Sequence, residues 1–297
     1  MKVFYSDKFV LELPKSHRFP ILKYELIKEQ LLHEGIVAKN DIIEAEPIPY
    51  KYLSNVHDKV YIEKLLSLSL SEKEIRKMGF PLTKELVERE FLVTGASYLA
   101  SMQALKDGIA FNGSGGTHHA FASYGEGFCL FNDFAVAAKA MKSKCKSILI
   151  YDLDVHQGNG TAQLLQNEPT IFTCSVHCSD NFPYKKEKSD LDIGLNAGVS
   201  DDAYLECVDQ TLSDLIRKVK PDFVYYLAGV DILESDKLGK LSISIDACKE
   251  RDEIVLRKLY EYGIPVVVAM GGGYSPKIKD IVNAHCNTFK VGRELYG

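Results

Sequence analysis

The sequence predicts an α/β fold: a single domain with a central, mostly parallel sheet flanked by helices. Three observations predict it. Strand-like runs alternate with amphipathic helical stretches along the whole chain. Several of the runs are almost continuously apolar, as expected for strands covered on both faces. No repeat, low-complexity segment or linker divides the 297 residues, so residues 1–297 read as one domain.

In chain order, the candidate strands are Lys2–Tyr5, Gly108–Asn112, Ser147–Asp154, Thr170–Val176, Asp222–Ala228 and Pro265–Met270. Phe19–Glu34 carries apolar residues at helical spacing and stops near Gly35. Leu82–Lys106 is long and helical in pattern. Asp201 and Asp202 open a further helix, acidic where an N-terminus favours it, which ends before Pro221. Asp246–Tyr260 and Ser275–Phe289 complete the set. Ser67–Pro81 has no clear period and reads as a surface loop or lid.

Composition narrows the class of protein. An apolar fraction of 46% and a charged fraction of 26% are ordinary for a globular chain. The net charge of -5 argues against general affinity for nucleic acid or an anionic membrane. No apolar run reaches membrane-spanning length, and MKVFYSDKFV lacks the apolar core of a secretion signal. The 7 cysteines are odd in number and scattered, unlike a disulfide framework. Cys174-Ser-Val-His177-Cys178 has no second pair at zinc-knuckle spacing. Together these predict an intracellular, cytoplasmic protein. Nothing in the pattern specifies an oligomeric state.

Chemistry-bearing residues follow four of the strands. In open α/β sheets, function gathers at the strands' carboxyl ends. GSGGTHHAF, with His118 and His119, follows the second strand. YDLDVHQGNG closes the third. Gly229-Val230-Asp231 follows the fifth, and Gly271-Gly272-Gly273-Tyr274 the sixth. In YDLDVHQGNG, Asp152, Asp154 and His156 alternate, which on a strand puts them on one face. Burying carboxylates side by side is expensive without a compensating cation. Asp154 and His156, with Asp231 from another strand end, suit a catalytic zinc with an open position. Asp152 is better placed behind them, or beside a monovalent cation held by backbone carbonyls. His118 and His119, in a glycine-rich loop, can both face a pocket and handle protons near neutral pH. Tyr274 suits an oxyanion donor. The glycine run before it lacks the spacing and lysine of a phosphate loop.

In this order, GGTHHA, GEGFCLFND, YDLDVHQGNG, SVH, AGVDILESDKLGKLSIS and GGGY resemble the zinc-dependent histone deacetylase family over most of the chain from Phe111 onward. YSDKF and NVHDKVYIEKL also fit. HQGNG and the long AGVDILESDKLG run look most like class IV members. The resemblance implies the arginase/deacetylase fold, with zinc on Asp154, His156 and Asp231. It implies a proton-transfer pair, His118 backed by Asp152 and His119 facing Asn159, with Tyr274 at the oxyanion. Gly127, Phe128 and Phe182 would line an acyl-lysine tunnel, with Gly272 also at the substrate. Asp152, Asp154, His156, Ser175 and Val176 match a family potassium (K+) site.

Three departures stand out: Asn159 where class I members carry Asp, Lys237 where many have Arg, and no acidic residue in Met78-Gly79-Phe80-Pro81. The first should lower the pKa of His119. The last weakens the case for histone peptides. The implied activity is removal of acetyl or longer acyl groups from lysine ε-amines. An acetylpolyamine hydrolase would share the site and differ at its mouth. A two-manganese ureohydrolase lacks ligands here, because Gln157-Gly158 and Ile232-Leu233 follow His156 and Asp231. A silent acyl-lysine reader would usually have lost a ligand or the tyrosine, and all are present.

Overall fold

A computed structural model describes residues 1–297. Eight strands form one sheet: β1 (Lys2–Tyr5), β2 (Ile42–Glu44), β3 (Ile109–Asn112), β4 (Ile148–Asp152), β5 (Ile171–Cys178), β6 (Leu191–Leu195), β7 (Phe223–Leu227) and β8 (Val266–Ala269). Their order is β2-β1-β3-β8-β7-β4-β5-β6, and every pair is parallel. The central strands β3, β4, β7 and β8 are buried at every position, as their unbroken apolar runs require.

All six strands read from the sequence are present. The two that were missed, β2 and β6, are the edges of the sheet. Each is covered less completely and lacks a continuous apolar run, so its sequence does not announce a strand.

The helices are α1 (Lys23–His33), α2 (Tyr50–Leu53), α3 (Lys59–Leu66), α4 (Glu72–Met78), α5 (Lys84–Asp107), α6 (Asp133–Met141), α7 (Asn159–Leu165), α8 (Asp201–Val219), α9 (Ile245–Glu261) and α10 (Ile278–Tyr296). The five expected helices are α1, α5, α8, α9 and α10. Ser200, Ser244 and Thr83 cap α8, α9 and α5 by accepting a backbone N–H three residues on. α6 is buried almost all round, so it shows no amphipathic stripe.

Ser67–Pro81 is not a bare loop: Glu72–Met78 within it form α4. Ser71 and Glu74 form a reciprocal capping box at its start, and Gly79 ends it in the left-handed region. That S-x-x-E signature was legible and should have marked the helix. One continuous core of 85 buried residues lies on both faces of the sheet. Because all strands run the same way, the loops after β3, β4, β5, β7 and β8 open on one rim.

Candidate active site

β4 stops at Asp152, two residues short of the expected strand end. Asp154 and His156 therefore sit in a loop, and hydrogen bonds rather than strand pleat aim them. The Asp154 N–H donates to Asp152 Oδ1 (3.1 Å), and the His156 N–H donates to Asp154 Oδ1 (3.0 Å). β7 pairs directly with β4, which carries Asp231 alongside.

Ligand atoms of Asp154, His156 and Asp231 all lie within 4.8 Å of one another, fully buried. His156 Nδ1 is 3.0 Å from Asp154 Oδ1 and 3.0 Å from Asp231 Oδ2. The remaining carboxylate oxygens are held in place. The Gly272 N–H donates to Asp154 Oδ2 (2.8 Å), and the Val155 N–H to Asp231 Oδ1 (3.0 Å). Gly272 thus braces the cluster, and a Cβ there would lie 1.9 Å from Asp231 Oδ2.

The electrostatics of these three groups ask for a cation. Burial and the charge of Asp154 push the Asp231 carboxyl up to about 7. Burial opposes charge on His156, but hydrogen bonds to Asp154 and Asp231 outweigh it and push the imidazole up to about 10. Both shifts say the same thing: two buried carboxylates want more positive charge than one neutral imidazole supplies. Two oxygens and one nitrogen at this spacing fit a divalent metal with room for another ligand.

The histidine pair lies beside the cluster. His118 Nδ1 is 2.7 Å from Asp152 Oδ2, and His119 Nδ1 is 2.7 Å from Asn159 Oδ1. The two Nε2 atoms are 3.1 Å apart. Burial alone would lower the pKa of His118, but Asp152 and Asp154 overcome it and raise it. Burial lowers His119 well below its ordinary value, and His118 and His156 add to the effect. Asn159 offers only a hydrogen-bonding dipole against this.

Tyr274 stands across the cluster, its ring 6.4 Å from that of His156 and 6.0 Å from that of Phe128. Burial and the charges of Asp231 and Asp154 push its phenol well above the ordinary value, so it keeps its proton. Phe182 meets His119 edge-on at 5.0 Å. Gly127, Phe128, Phe182, His119, His156 and Tyr274 all line one cleft of about 940 Å³. Gly127 has φ +54°, and a Cβ there would lie 2.7 Å from the His119 ring. Gly272 does not line this cleft. It reaches only the small cavity behind it. Ser175 pairs in register with Asp152, and its hydroxyl bonds His177 Nδ1 (3.0 Å), while Val176 is buried beside it.

Three supporting residues escaped sequence reading. Asp236 accepts the Tyr274 N–H on Oδ2 (2.6 Å) and the N–H groups of Leu238 and Gly239 on Oδ1. It joins the loop after β7 to the loop after β8 and so positions the tyrosine. Asp133 accepts the N–H groups of Gly116 and Thr117 (3.2 and 2.8 Å) and holds the histidine loop. Glu126 accepts from the Asn159 amide at 3.3 Å. Each lies inside a motif already singled out, but its partner is far away in sequence, so spacing alone gave no signal.

The histone deacetylase domain model matches residues 17–289. An uncharacterized protein of Picosynechococcus is 40% identical over 99% of both chains. Histone deacetylase 2 of Arabidopsis thaliana is 29% identical over 92% of this chain and 74% of its own. Among solved structures, a histone deacetylase homolog complexed with SAHA superposes with a TM-score of 0.83 at 24% identity, covering 98% of this chain and 84% of its own. An acetylpolyamine aminohydrolase from Burkholderia pseudomallei superposes with a TM-score of 0.82 at 19% identity, covering both chains fully. These two structures share the fold. On the family model and the sequence relatives, this chain belongs to the histone deacetylase family.

Proposed function

We propose that the chain is a zinc-dependent amidohydrolase that removes acyl groups, acetyl or longer, from lysine ε-amines of proteins inside the cell. HQGNG and AGVDILESDKLG favour a class IV member. The observation that carries the reading is the buried Asp154, His156 and Asp231 cluster beside the His118–His119 pair, at the floor of a cleft walled by Phe128, Phe182 and Tyr274. A site that binds without reacting has no need of such a proton-handling pair.

Asp154, His156 and Asp231 would hold the zinc. When bound, it would supply Lewis acidity to the scissile carbonyl and to the attacking water. The chain's own residues divide the remaining work. Phe128 and Phe182 grip the aliphatic lysine stem and keep bulk water out. His119, whose depressed basicity leaves it neutral, takes the proton of the attacking water. His118, held protonated by Asp152, places positive charge beside the developing negative charge. Tyr274 donates its hydroxyl proton in a hydrogen bond to the oxyanion. The histidine pair returns a proton to the leaving amine, giving a carboxylate and a free lysine.

A potassium ion behind the cluster fits the local backbone. The carbonyls of Asp154 and His156 accept no backbone hydrogen bond, which leaves them free for a cation. The same reaction centre would serve a small acylated amine, so the mouth of the cleft decides between the two substrate classes.

The test is deacylation of acetyl-, octanoyl- and myristoyl-lysine peptides, with one zinc per chain measured by elemental analysis. Turnover lost on chelation and restored by zinc supports the reading, and the preferred chain length reports the depth of the pocket. Activity that survives both chelation and His119→Ala would sink it.

A further inference from the structure

The mouth of the cleft carries a charge opposite to that of the chain as a whole. The chain has a net charge of -5. Yet the cleft is lined by Arg18, Arg76, Lys77 and Lys240 against only Glu126 and Asp180. Lys77 is matched by Glu126 at 3.4 Å, with its ammonium over the Tyr124 ring. Lys240 donates to the backbone carbonyl of Asp180 (3.1 Å), not to a carboxylate. Arg18 and Arg76 have no acidic partner. Three unmatched cations therefore face one carboxylate.

These cations arrive from separate parts of the chain. Arg18 precedes α1, Arg76 lies in the last turn of α4, and Lys240 is in the loop after β7. They line one cleft from three separate segments instead of lying along one solvated helix face. All three are exposed. Single exposed charges count for little, but several of one sign around a concave surface focus a field that reaches incoming ligands.

We infer that this mouth selects an acyl-lysine flanked by acidic residues and disfavours free acylated polyamines. The inference rests on the lysine deacylase reading above and narrows its substrate. With the acyl-lysine seated, the residues on either side of it cross the rim. At about 3.3 Å per residue, two neighbours each way lie within the roughly 8 Å over which charges act in physiological salt. Aspartate or glutamate there meets Arg18, Arg76 and Lys240. A polyamine instead brings its own ammonium groups into a field of the same sign. The missing acidic residue in Met78–Pro81 points the same way, because no rim carboxylate on that segment is available to hold a cationic substrate.

The test uses peptides of equal length with one central acetyl-lysine, flanked by glutamates, by serines or by lysines, together with acetylputrescine and acetylspermidine. Fluorescence anisotropy on the metal-free protein gives Kd, and kcat/KM is measured on the zinc-loaded enzyme. The expected result is a glutamate-flanked peptide favoured over the lysine-flanked one on the order of tenfold, with the gap closing at high salt. Arg18→Glu, Arg76→Glu and Lys240→Glu combined should invert the order. Single Arg76→Gln and Lys240→Gln proteins should each narrow the gap, which keeps the test intact if the triple variant does not fold. Equal affinity for acidic and basic peptides overturns the inference, while hydrolysis of the serine-flanked peptide leaves the deacylase reading standing. Acetylpolyamines turned over faster than every peptide would overturn both.

Discussion

Nε2 of His118 lies 3.1 Å from Nε2 of His119. Both Nδ1 atoms face acceptors, the Asp152 carboxylate and the Asn159 amide oxygen, so both carry a proton there. The amide oxygen assignment is consistent, since the same atom also accepts the Gly160 N–H. Two neutral rings would then point bare lone pairs at each other. In the resting protein the contact is satisfied when the pair holds one extra proton, on His118, donated to His119; that hydrogen bond must open before His119 Nε2 can accept the proton of the attacking water. The charge of Asp152 explains why His118 keeps it.

Asn159→Asp would change that division. A carboxylate beside His119 Nδ1 favours its imidazolium, and nearby Glu126 adds to the negative field. The pKa of His119 should rise, so its basic form appears only at higher pH. The acid limb of the kcat/KM profile is expected to move to higher pH by about one unit. An unmoved limb would show that His119 is not the base.

Tyr274→Phe keeps the ring against Phe128 and His156 and deletes the hydroxyl. A lost oxyanion donor costs about 10²–10³ in kcat. Peptide affinity for the metal-free protein should hardly change, because the donor acts only as charge develops. A rise in Kd without a fall in kcat would assign the tyrosine to binding instead.

Asp231→Asn separates metal binding from folding. In the metal-free protein, burial and Asp154 hold Asp231 at about 7, so ionising it above its ordinary 3.8 weighs against the fold. Asparagine removes that penalty, and His156 keeps Asp154 as its partner. Metal-free variant should therefore melt no lower than metal-free wild type at pH 7.5. Zinc should raise the Tm of the wild type alone, by mass action on the native state. Equal zinc stabilisation of both proteins would remove Asp231 from the ligand set.

His57 predicts an acid sensitivity unrelated to catalysis. Its Nδ1–H donates to the Phe121 carbonyl (2.9 Å), and its Nε2 accepts the Asn132 N–H (3.0 Å). Only the neutral ring can do both. Burial lowers its pKa from 6.5 to about 4. The unfolded chain therefore binds a proton that the folded chain refuses. The neutral ring's advantage is complete above pH 6.5 and is lost as pH falls to about 4, a change of about 3 kcal/mol. Urea unfolding at pH 7 and pH 4.5 should show a larger loss for wild type than for His57→Gln. Parallel losses would refute it.

The sequence by itself determined the fold class and picked out the candidate site residues. Buried parallel strands need unbroken apolar runs, and β3, β4, β7 and β8 have them. Clustered carboxylates and imidazoles are side chains that a core does not tolerate without compensation, so Asp154, His156, Asp231 and the histidine pair stood out where they occurred. Tertiary structure decided what depends on partners distant in the chain. The meeting of Asp154 with Asp231 comes from the pairing of β4 with β7. Asp236 positions Tyr274 across 38 residues. The Gly272 N–H reaches the Asp154 carboxylate across 118 residues. The meeting of Arg18, Arg76 and Lys240 exists only once three separate segments line one cleft. Local pattern encodes which face of a segment is buried, whereas the electrostatics of a site arise from segments that only folding brings within a few ångströms.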